Sequence, residues 1–116
     1  MNIKTLTVTI TPDRTDVHLL AVREDGELAG IAVVALGKDE NSGWLSSVFV
    51  QPDHRGHGFG RQLVERATAV CRADSRGFIS MNVKKDNEAA KRLYASLGFL
   101  PFMDGPEDYT QWLKAL

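Results

Sequence analysis

Apolar and polar residues alternate along the first third of the chain in a pattern typical of strands. Residues 3–10 alternate between β-branched or apolar side chains and polar ones, which predicts a first strand. Residues 17–23 and 28–36 predict a second and a third strand in the same way. The Asp25-Gly26 pair between them predicts a two-residue hairpin turn that joins these two strands.

The pattern changes in the middle of the chain, where an apolar strand leads into a long amphipathic segment. Residues 44–50 become apolar on both faces, as expected of a central strand that is covered on both sides. From Phe59 onward, apolar residues recur at spacings of three and four, which predicts a helix of about 16 residues that stops at Arg76-Gly77. Residues 78–83 predict a fifth strand, and the crossover through the helix makes the fourth and fifth strands parallel.

The last third of the chain predicts a shorter helix and two closing strands. Asp86 or Asn87 caps the start of the helix, and Gly98 ends it. Residues 99–103 and 109–113 predict the two strands. The elements together predict an α/β (α+β) fold, with a mixed central sheet of about six or seven strands and a parallel β-α-β crossover.

Length and composition are those of an ordinary globular chain. With 116 residues, the chain should form one domain over residues 1–116 with a single two-layer core. A net charge of −1 gives no general attraction to nucleic acid or to anionic membranes. No apolar run approaches the roughly 18 residues that span a bilayer, and no signal-peptide pattern is present, so we expect a cytoplasmic protein.

Cys71 is the only cysteine of the chain. A single cysteine excludes an internal disulfide and a cysteine-based metal cluster, and we expect no bound metal. The position of Cys71 in the helical pattern predicts a partly buried core thiol, with a catalytic acyl-cysteine as a remote alternative.

The predicted fourth strand runs directly into a glycine-rich turn that opens the long helix. Gly56, Gly58 and Gly60 stand at alternate positions, so the backbone can curl until several N–H groups point at one anion on the positive end of the helix. The spacing matches neither the P-loop nor the dinucleotide pattern, because Leu63 stands where the third glycine of the latter would fall. The turn predicts a phosphate site of another type, and a tight turn that binds nothing is the alternative.

Two motifs of the chain resemble those of the GNAT N-acetyltransferase family. The positions of V-x-P-x-x-[RQ]-G-x-G-x-G/A are occupied by Val50, Pro52, Arg55, Gly56, Gly58 and Gly60. The positions of N-x-x-A-x-x-L-Y-x-x-x-G-F are occupied by Asn87, Ala90, Leu93, Tyr94, Gly98 and Phe99. The motifs stand in the order and at the separation that the family requires, and the resemblance covers about residues 17–103. It implies an acyl-CoA N-acyltransferase-like fold, with acetyl-CoA as cosubstrate.

The resemblance assigns the pyrophosphate of coenzyme A (CoA) to main-chain N–H groups of the glycine turn, with the two arginines adding charge. The residues concerned are Arg55, Gly56, His57, Gly58, Phe59, Gly60 and Arg61. In the family, the fourth and fifth strands splay apart and the pantetheine arm pairs with the exposed strand edge. This implicates the backbones of Val48, Phe49 and Val50, one of whose N–H groups would also stabilise the oxyanion. Asn87 resembles the asparagine that binds the arm, and a helix cap is its other role.

Tyr94 is similar to the family tyrosine that protonates the leaving thiolate. A phenol with a pKa of about 10 stays protonated at neutral pH and can donate that proton. A tyrosine packed on its helix face is the alternative.

No residue stands out as the general base. Several family members carry a glutamate on the fourth strand, whereas residues 44–50 contain no carboxylate. Ser46 and Ser47 could order a water molecule there. Among the histidines, His54 and His57 flank the turn and are expected to be solvent-exposed, and His18 is expected on a strand face.

These features predict an acetyl-CoA-dependent N-acetyltransferase that moves the acetyl group directly to a primary amine in a ternary complex. The acceptor is either a small molecule or a protein. A non-catalytic acyl-CoA-binding or regulatory module is the first alternative, and an interaction domain that binds no CoA is the second.

The family usually inserts two helices between its first and second strands. Here only residues 11–16 separate the predicted strands, which are too few for a stable helix. We therefore expect a more open acceptor cleft, or a second subunit that closes it in a homodimer. Trp112, Leu113 and Leu116 are a candidate contact surface, and a place in the last core strand is their alternative role.

Overall fold

The computed structural model describes residues 2–116, which form seven strands, two α-helices and one 3₁₀ turn. In chain order the elements are β1 (Asn2–Thr11), β2 (Arg14–Val22), β3 (Leu28–Gly37), β4 (Ser42–Val50), the 3₁₀ turn (Pro52–His54), α1 (Phe59–Ala73), β5 (Phe78–Lys84), α2 (Glu88–Ser96), β6 (Leu100–Asp104) and β7 (Tyr109–Ala115). All strands belong to one mixed sheet in the order β1-β2-β3-β4-β5-β7-β6. The predicted α/β fold and the parallel pairing of β4 with β5 are confirmed.

Both helices of residues 2–116 pack on the same face of the sheet. The Arg61 guanidinium of α1 donates to Ser96 Oγ of α2 over 2.7 Å, which places the helices side by side. Because side chains alternate along a strand, every second strand residue faces the helices and forms the core. This core contains Leu19, Val34, Leu45, Ile79, Met81 and Val83 from the strands and Leu63, Val64, Ala67, Cys71 and Tyr94 from the helices.

The other face of the sheet is covered by no helix of residues 2–116, and large apolar side chains remain exposed on it. Leu6 is 56% exposed and pairs with His18, which lies between the core residues Val17 and Leu19. Leu100 is 67% exposed and pairs with Leu113.

The parallel pair β4 and β5 separates soon after it forms. Within residues 2–116, the two strands pair only from Ser42 to Trp44 of β4 and from Phe78 to Ser80 of β5. Beyond this point β4 contains a bulge: its register with β3 shifts, and Ser47 adopts a φ of 56°. A positive φ is uncommon for a residue other than glycine, and bulges of this kind bend a strand away from its neighbour. The second half of β4 therefore presents an unpaired edge to an open slot.

Two predicted turns are built differently from the expectation. The β2–β3 turn has Glu24 and Asp25 as its central residues, because the Gly26 N–H donates to Arg23 O over 2.9 Å. The connection is therefore longer than a two-residue hairpin. The α1 helix ends at Ala73, before the predicted stop at Arg76-Gly77.

The end of α1 is set by Ser75, which adopts a left-handed φ of 59°. The Arg76 N–H then donates to Cys71 O over 3.0 Å and closes the last turn. Gly77 instead allows close packing against Asn41, because a Cβ at Gly77 would lie 2.6 Å from the Asn41 side chain.

The connection between β1 and β2 consists of Pro12 and Asp13, so β2 begins three residues earlier than predicted, at Arg14. The expected absence of helices between these strands holds for the part of the chain that the structure describes. Trp112 is buried in the core as a residue of the last core strand, and Leu116, which follows β7, packs against that core. Leu113 pairs with Leu100 on the helix-free face. In residues 2–116, no helix combines the length and the apolar character needed to cross a membrane.

Candidate active site

The glycine turn leads from β4 through the 3₁₀ turn into α1. Gly56 and Gly58 both have a φ of 81°, which side-chain-bearing residues rarely adopt. Apart from the chain neighbours of each glycine, no heavy atom of the described residues lies within 4 Å of the point where its Cβ would sit. Gly58 is the N-cap of α1, whose first N–H groups have no partner within the helix. This open concave backbone at the positive end of a helix is suited to hold an anion.

A cleft of about 610 Å³ lies along this turn and reaches the start of α2. Most of the predicted cofactor-binding residues line it, namely Val48, Val50, Arg55, Gly56, Gly58, Phe59, Gly60, Arg61 and Asn87. Sequence reasoning missed the other lining residues, which are His54, Ala89, Ala90 and Leu93. Leu93 and Ala90 belong to the second motif and show its helical spacing, which is the signal that could have found them.

Two predicted residues do not line this cleft. The Phe49 side chain points to the helix-free face, because Phe49 pairs with Ile31 and not with a core residue. Its ring lies 5.6 Å from the Arg55 guanidinium carbon, at the distance of a cation–π contact. His57 is exposed, as predicted.

The two arginines of the turn are held from opposite sides of the cleft. Arg55 donates through Nε to Val50 O over 3.0 Å, at the end of β4. Arg61 donates to Ser96 Oγ over 2.7 Å, and Ser96 Oγ in turn donates to Leu93 O over 2.6 Å. These contacts fix the direction of both side chains, and each guanidinium has further N–H donors beyond the one used here.

A second cleft of about 380 Å³ occupies the slot between the separated strands. It shares the lining residues Val48, Asn87 and Ala90 with the first cleft, so the two clefts adjoin each other. Its further lining residues are Leu45, Ser46, Ser47, Met81, Asn82, Val83, Lys84, Tyr94 and Tyr109.

The slot passes through the sheet from one face to the other. Met81 and Val83 of its lining belong to the core on the helix side. Asn82 lies between them on the strand and therefore faces the opposite side. Tyr109 is also on that side, three residues from the core residue Trp112. A ligand bound along the helix face can thus present one end to a second molecule that approaches from the helix-free face.

Tyr94 lies at the helix side of this slot and is 8% exposed. Its ring packs against Phe99, with the ring centroids 5.8 Å apart. Burial raises the pKa of the Tyr94 phenol, because the charged phenolate would be poorly solvated there. The group is therefore a proton donor at neutral pH.

Asn87 is the N-cap of α2, since its Oδ1 accepts a hydrogen bond from the Ala90 N–H over 3.1 Å. The same side chain lines both clefts. Its amide N–H groups remain available for a ligand while the oxygen caps the helix.

The slot contains no carboxylate on β4, whose sequence from Ser42 to Val50 is free of Asp and Glu. Ser46 and Ser47 line the slot at the bulge, where they can bind water. Among residues 2–116, no three His, Cys, Asp or Glu side chains come together as a metal site requires.

His54 was predicted to be solvent-exposed, and this prediction is wrong. Only 5% of its surface is exposed, because the 3₁₀ turn carries the ring under the β2–β3 connection. Its Nε2 lies 3.0 Å from Glu27 Oε1. His18 lies on a strand face of β2, as expected.

Cys71 is fully buried, and so more deeply than predicted. Desolvation raises the pKa of its thiol to about 11. The side chain faces Gly43 of β4 and lines neither cleft.

Comparison with known proteins identifies the sequence family. The family model described as "Acetyltransferase (GNAT) family" matches residues 4–99. The chain is 34% identical over 80 residues to streptothricin acetyltransferase of Streptomyces lavendulae, a match that covers 69% of this chain and 42% of that protein. It is 32% identical over 84 residues to N-alpha-acetyltransferase RimI of Mycobacterium tuberculosis, with 71% of this chain and 51% of that protein covered. The chain thus spans about half the length of these curated relatives.

The fold is similar to that of solved acetyltransferases. The ribosomal-protein-alanine N-acetyltransferase of Brucella melitensis superposes with a TM-score of 0.75 at 25% identity. This match covers 87% of the present chain and 69% of the other chain.

Proposed function

The chain belongs to the acetyltransferase (GNAT) family, and we propose that it transfers an acetyl group from acetyl-CoA to a primary amine. The observation that carries this proposal is the path formed by the cleft along the glycine turn and the adjoining slot between β4 and β5. A donor bound along this path would bring its thioester to Tyr94, with the opposite face of the sheet open to an acceptor. Direct transfer in a ternary complex needs this two-sided access.

The donor would be held mainly by backbone groups. The pyrophosphate lies against the N–H groups from Arg55 to Arg61, where both the glycine conformation and the helix end favour an anion. The pantetheine amides pair with the unpaired edge of β4 at Val48–Val50, in the manner of an added strand. Asn87 reaches the arm from the other wall of the cleft.

The transfer step follows from this placement. The nitrogen of the neutral amine attacks the thioester carbonyl carbon, and a C–N bond forms while the carbonyl oxygen becomes an oxyanion. A β4 N–H near the bulge stabilises that oxyanion. The C–S bond then breaks, the leaving thiolate takes the proton of the Tyr94 hydroxyl, and the nitrogen loses its extra proton to water, from which the Tyr94 phenolate regains a proton. Ser46 and Ser47 line the slot where such a water would sit.

The acceptor is proposed only as a primary amine. The names of the similar proteins refer to different acceptors, streptothricin and the alanine of a ribosomal protein, and so do not select one. The connection of Pro12 and Asp13 leaves the slot uncovered on the helix-free side, which favours an extended or macromolecular acceptor.

The test of the chemistry is thiol release from acetyl-CoA with a panel of amines that includes small polyamines, aminoglycosides, lysine peptides and peptides with free N-termini. Tyr94→Phe keeps the ring packed on Phe99 and removes only the acid. We expect kcat to fall roughly 100-fold or more, because general acid catalysis is worth about that much. Turnover by the wild type that Tyr94→Phe fully retains would show that the assigned role is wrong.

A second candidate function is a non-catalytic acyl-CoA-binding module. The absence of a carboxylate on β4 favours it, since no side chain there can take the proton of the amine. CoA binding without transfer to any member of the panel would support this candidate over the enzyme.

Ligand-induced stabilisation tests the proposed pyrophosphate site at the glycine turn. At 100 times its Kd, CoA should stabilise the wild type by about 2.7 kcal/mol, which raises the midpoint of thermal unfolding. Gly58→Val should remove this shift, because a branched side chain is strained at a φ of 81° and projects toward the phosphate. Tight CoA binding by a folded Gly58→Val protein would refute the pyrophosphate site at the glycine turn. If CoA does not shift the unfolding midpoint of the wild type, an interaction domain that binds no CoA is favoured.

The proposal includes a homodimer that forms through β1. This edge strand has ten residues, no proline and Lys4 as its only charged side chain. Edge strands of this kind present unpaired N–H and C=O groups that invite another strand. A second copy of β1 can pair with the first in antiparallel register about a two-fold axis.

A further inference from the structure

His54 is a buried polar residue beside the phosphate turn, and the proposed chemistry does not use it. A buried ring nitrogen is costly unless it forms a hydrogen bond. His54 Nε2 lies 3.0 Å from Glu27 Oε1, and Glu27 belongs to the β2–β3 connection. Because a carboxylate accepts hydrogen bonds and does not donate them, the Nε2–H is the donor. The bond joins two segments that are far apart in the sequence.

Gln51, directly before the 3₁₀ turn, is tied to the start of β3 at two further points. The Gln51 N–H donates to Ala29 O over 2.8 Å, and the Gln51 side-chain Nε2 donates to Leu28 O over 2.8 Å. His54 is joined to Gln51 in turn, because its N–H donates to Gln51 O over 2.9 Å. The segment from Gln51 to His54 is therefore fixed against Glu27 and the first two residues of β3.

The His54 ring also contacts the first residue of α1. Its centroid lies 6.1 Å from that of Phe59, with an interplanar angle of 76°, which is an edge-to-face arrangement. The residues between these two rings include Gly56 and Gly58, and apart from their chain neighbours no described heavy atom lies within 4 Å of where a Cβ of either glycine would sit. The imidazole therefore supports both ends of a segment that has little packing of its own.

We infer that His54 is a positioning residue that orders the phosphate turn before the ligand arrives. The inference rests on the proposed function, in which the turn holds the pyrophosphate. A glycine-rich segment loses much conformational freedom when it is ordered. A ligand binds more tightly when the protein has already ordered the segment. His54 acts through the backbone of Arg55–Gly58, with its own Nε2–H committed to Glu27.

The test compares CoA with acetyl-pantetheine, which retains the arm and the thioester but lacks the pyrophosphate and the nucleotide. His54→Phe keeps a ring of similar size and removes the donor. We expect calorimetry to show roughly tenfold weaker CoA binding, which corresponds to about 1.4 kcal/mol. The kcat at saturating acetyl-CoA and the kcat/KM for acetyl-pantetheine should stay at their wild-type values. A general loss of structure would lower all of these quantities together.

Glu27 provides the reciprocal variants. Glu27→Ala should weaken CoA binding as His54→Phe does, and Glu27→Gln should restore most of the affinity, because its amide oxygen still accepts from Nε2–H. The double variant should lose little more than either single one, since both remove the same bond. His18→Phe is the matched control on β2, away from the turn, and should bind CoA like the wild type.

Two results would overturn the inference: unchanged CoA affinity in His54→Phe, or an equal loss with CoA and acetyl-pantetheine. If His54→Phe does not unfold cooperatively, Glu27→Ala decides by the same criteria, because the Glu27 side chain is largely exposed. A wild type that binds no CoA would refute the cofactor assignment and the inference with it. A wild type that binds CoA while these variants bind equally well would refute the inference alone.

Discussion

Tyr94 and Cys71 are both buried acids, and only Tyr94 faces the cleft. Burial raises the pKa of each side chain. For Tyr94 this keeps a proton available beside the slot between β4 and β5. For Cys71 a pKa of about 11 means that the nucleophilic thiolate is scarce at neutral pH. The acyl-cysteine alternative is therefore disfavoured by both placement and protonation.

The raised pKa of Cys71 predicts a specific loss of stability at alkaline pH. Above about pH 9 the unfolded chain releases the thiol proton, while the folded chain keeps it up to about pH 11. The unfolded state then binds fewer protons, so the free energy of unfolding falls as pH rises, by up to about 1.4 kcal/mol per pH unit in this window.

Urea unfolding from pH 7 to pH 10.5 measures this effect, with Cys71→Ala as the comparison. The variant lacks the thiol, so its free energy of unfolding should fall less steeply above pH 9. Tyr94 is present in both proteins, so its contribution cancels in the difference. Parallel pH profiles for the two proteins would contradict the prediction.

Single residues were predictable from the sequence where their role is local. Asn87 caps α2 as expected, because the cap is a contact with Ala90, three residues away. His54 could not be placed in this way. Its burial depends on Glu27, a residue 27 positions earlier in the chain, and no local pattern contains that contact.

At the scale of elements, the periodic patterns predicted every strand and helix, and the errors lie at the ends. Gly77 was a reasonable helix stop by composition, yet Ser75 takes the left-handed conformation two residues earlier. The bulge at Ser47 was also absent from the prediction, because an apolar run carries no mark of a register shift. Ends and bulges follow from how neighbouring elements pack, which the sequence pattern does not contain.

Packing between β4 and α1 gives an element-scale prediction at Gly43. A Cβ at this position would overlap Cys71 Sγ, whereas the Cys71 Cβ would lie at 3.5 Å, in ordinary contact. Gly43→Ala should therefore destabilise the fold by about 1–3 kcal/mol, the range for overpacked sites. Cys71→Ala in the same chain removes the overlapping atom and should recover most of this loss.

Chemical unfolding of the wild type, the two single variants and the double variant measures the coupling. A double variant that is more stable than Gly43→Ala supports the contact between the strand and the helix. Losses that simply add would mean that Gly43 is not limited by the thiol.

At the scale of the molecule, the parallel β4–β5 pair was predictable because a helix of this length between two strands forms a crossover, and crossovers join parallel strands. The insertion of β7 between β5 and β6 was not, since it depends on long-range pairing. The sheet also carries both described helices on one face, so the slot opens toward an uncovered apolar surface. The helix-free face is uncovered in residues 2–116 because Pro12 and Asp13 alone join β1 to β2. The sequence does show this short connection.

The two edges of the sheet differ in how they resist further pairing. The β6 edge is five residues long, contains Pro101 and Asp104, and is interrupted by a register shift next to Pro101. All of these features protect an edge. The β1 edge also has a register shift, next to Thr9, but it is ten residues long, contains no proline and has Lys4 as its only charged residue. A strand-mediated homodimer should therefore form at β1 and not at β6.

Sedimentation equilibrium at tens of micromolar tests this assembly. The wild type should sediment as a dimer, because two copies of β1 can satisfy their outer N–H and C=O groups together. Leu6→Lys places a charge in the middle of the pairing edge, at a side chain that is 56% exposed, and should give a folded monomer. Leu100→Lys is the matched control on the β6 edge, 67% exposed, and should remain dimeric. A wild type that stays strictly monomeric, or a dimer that only Leu100→Lys disrupts, would count decisively against pairing through β1.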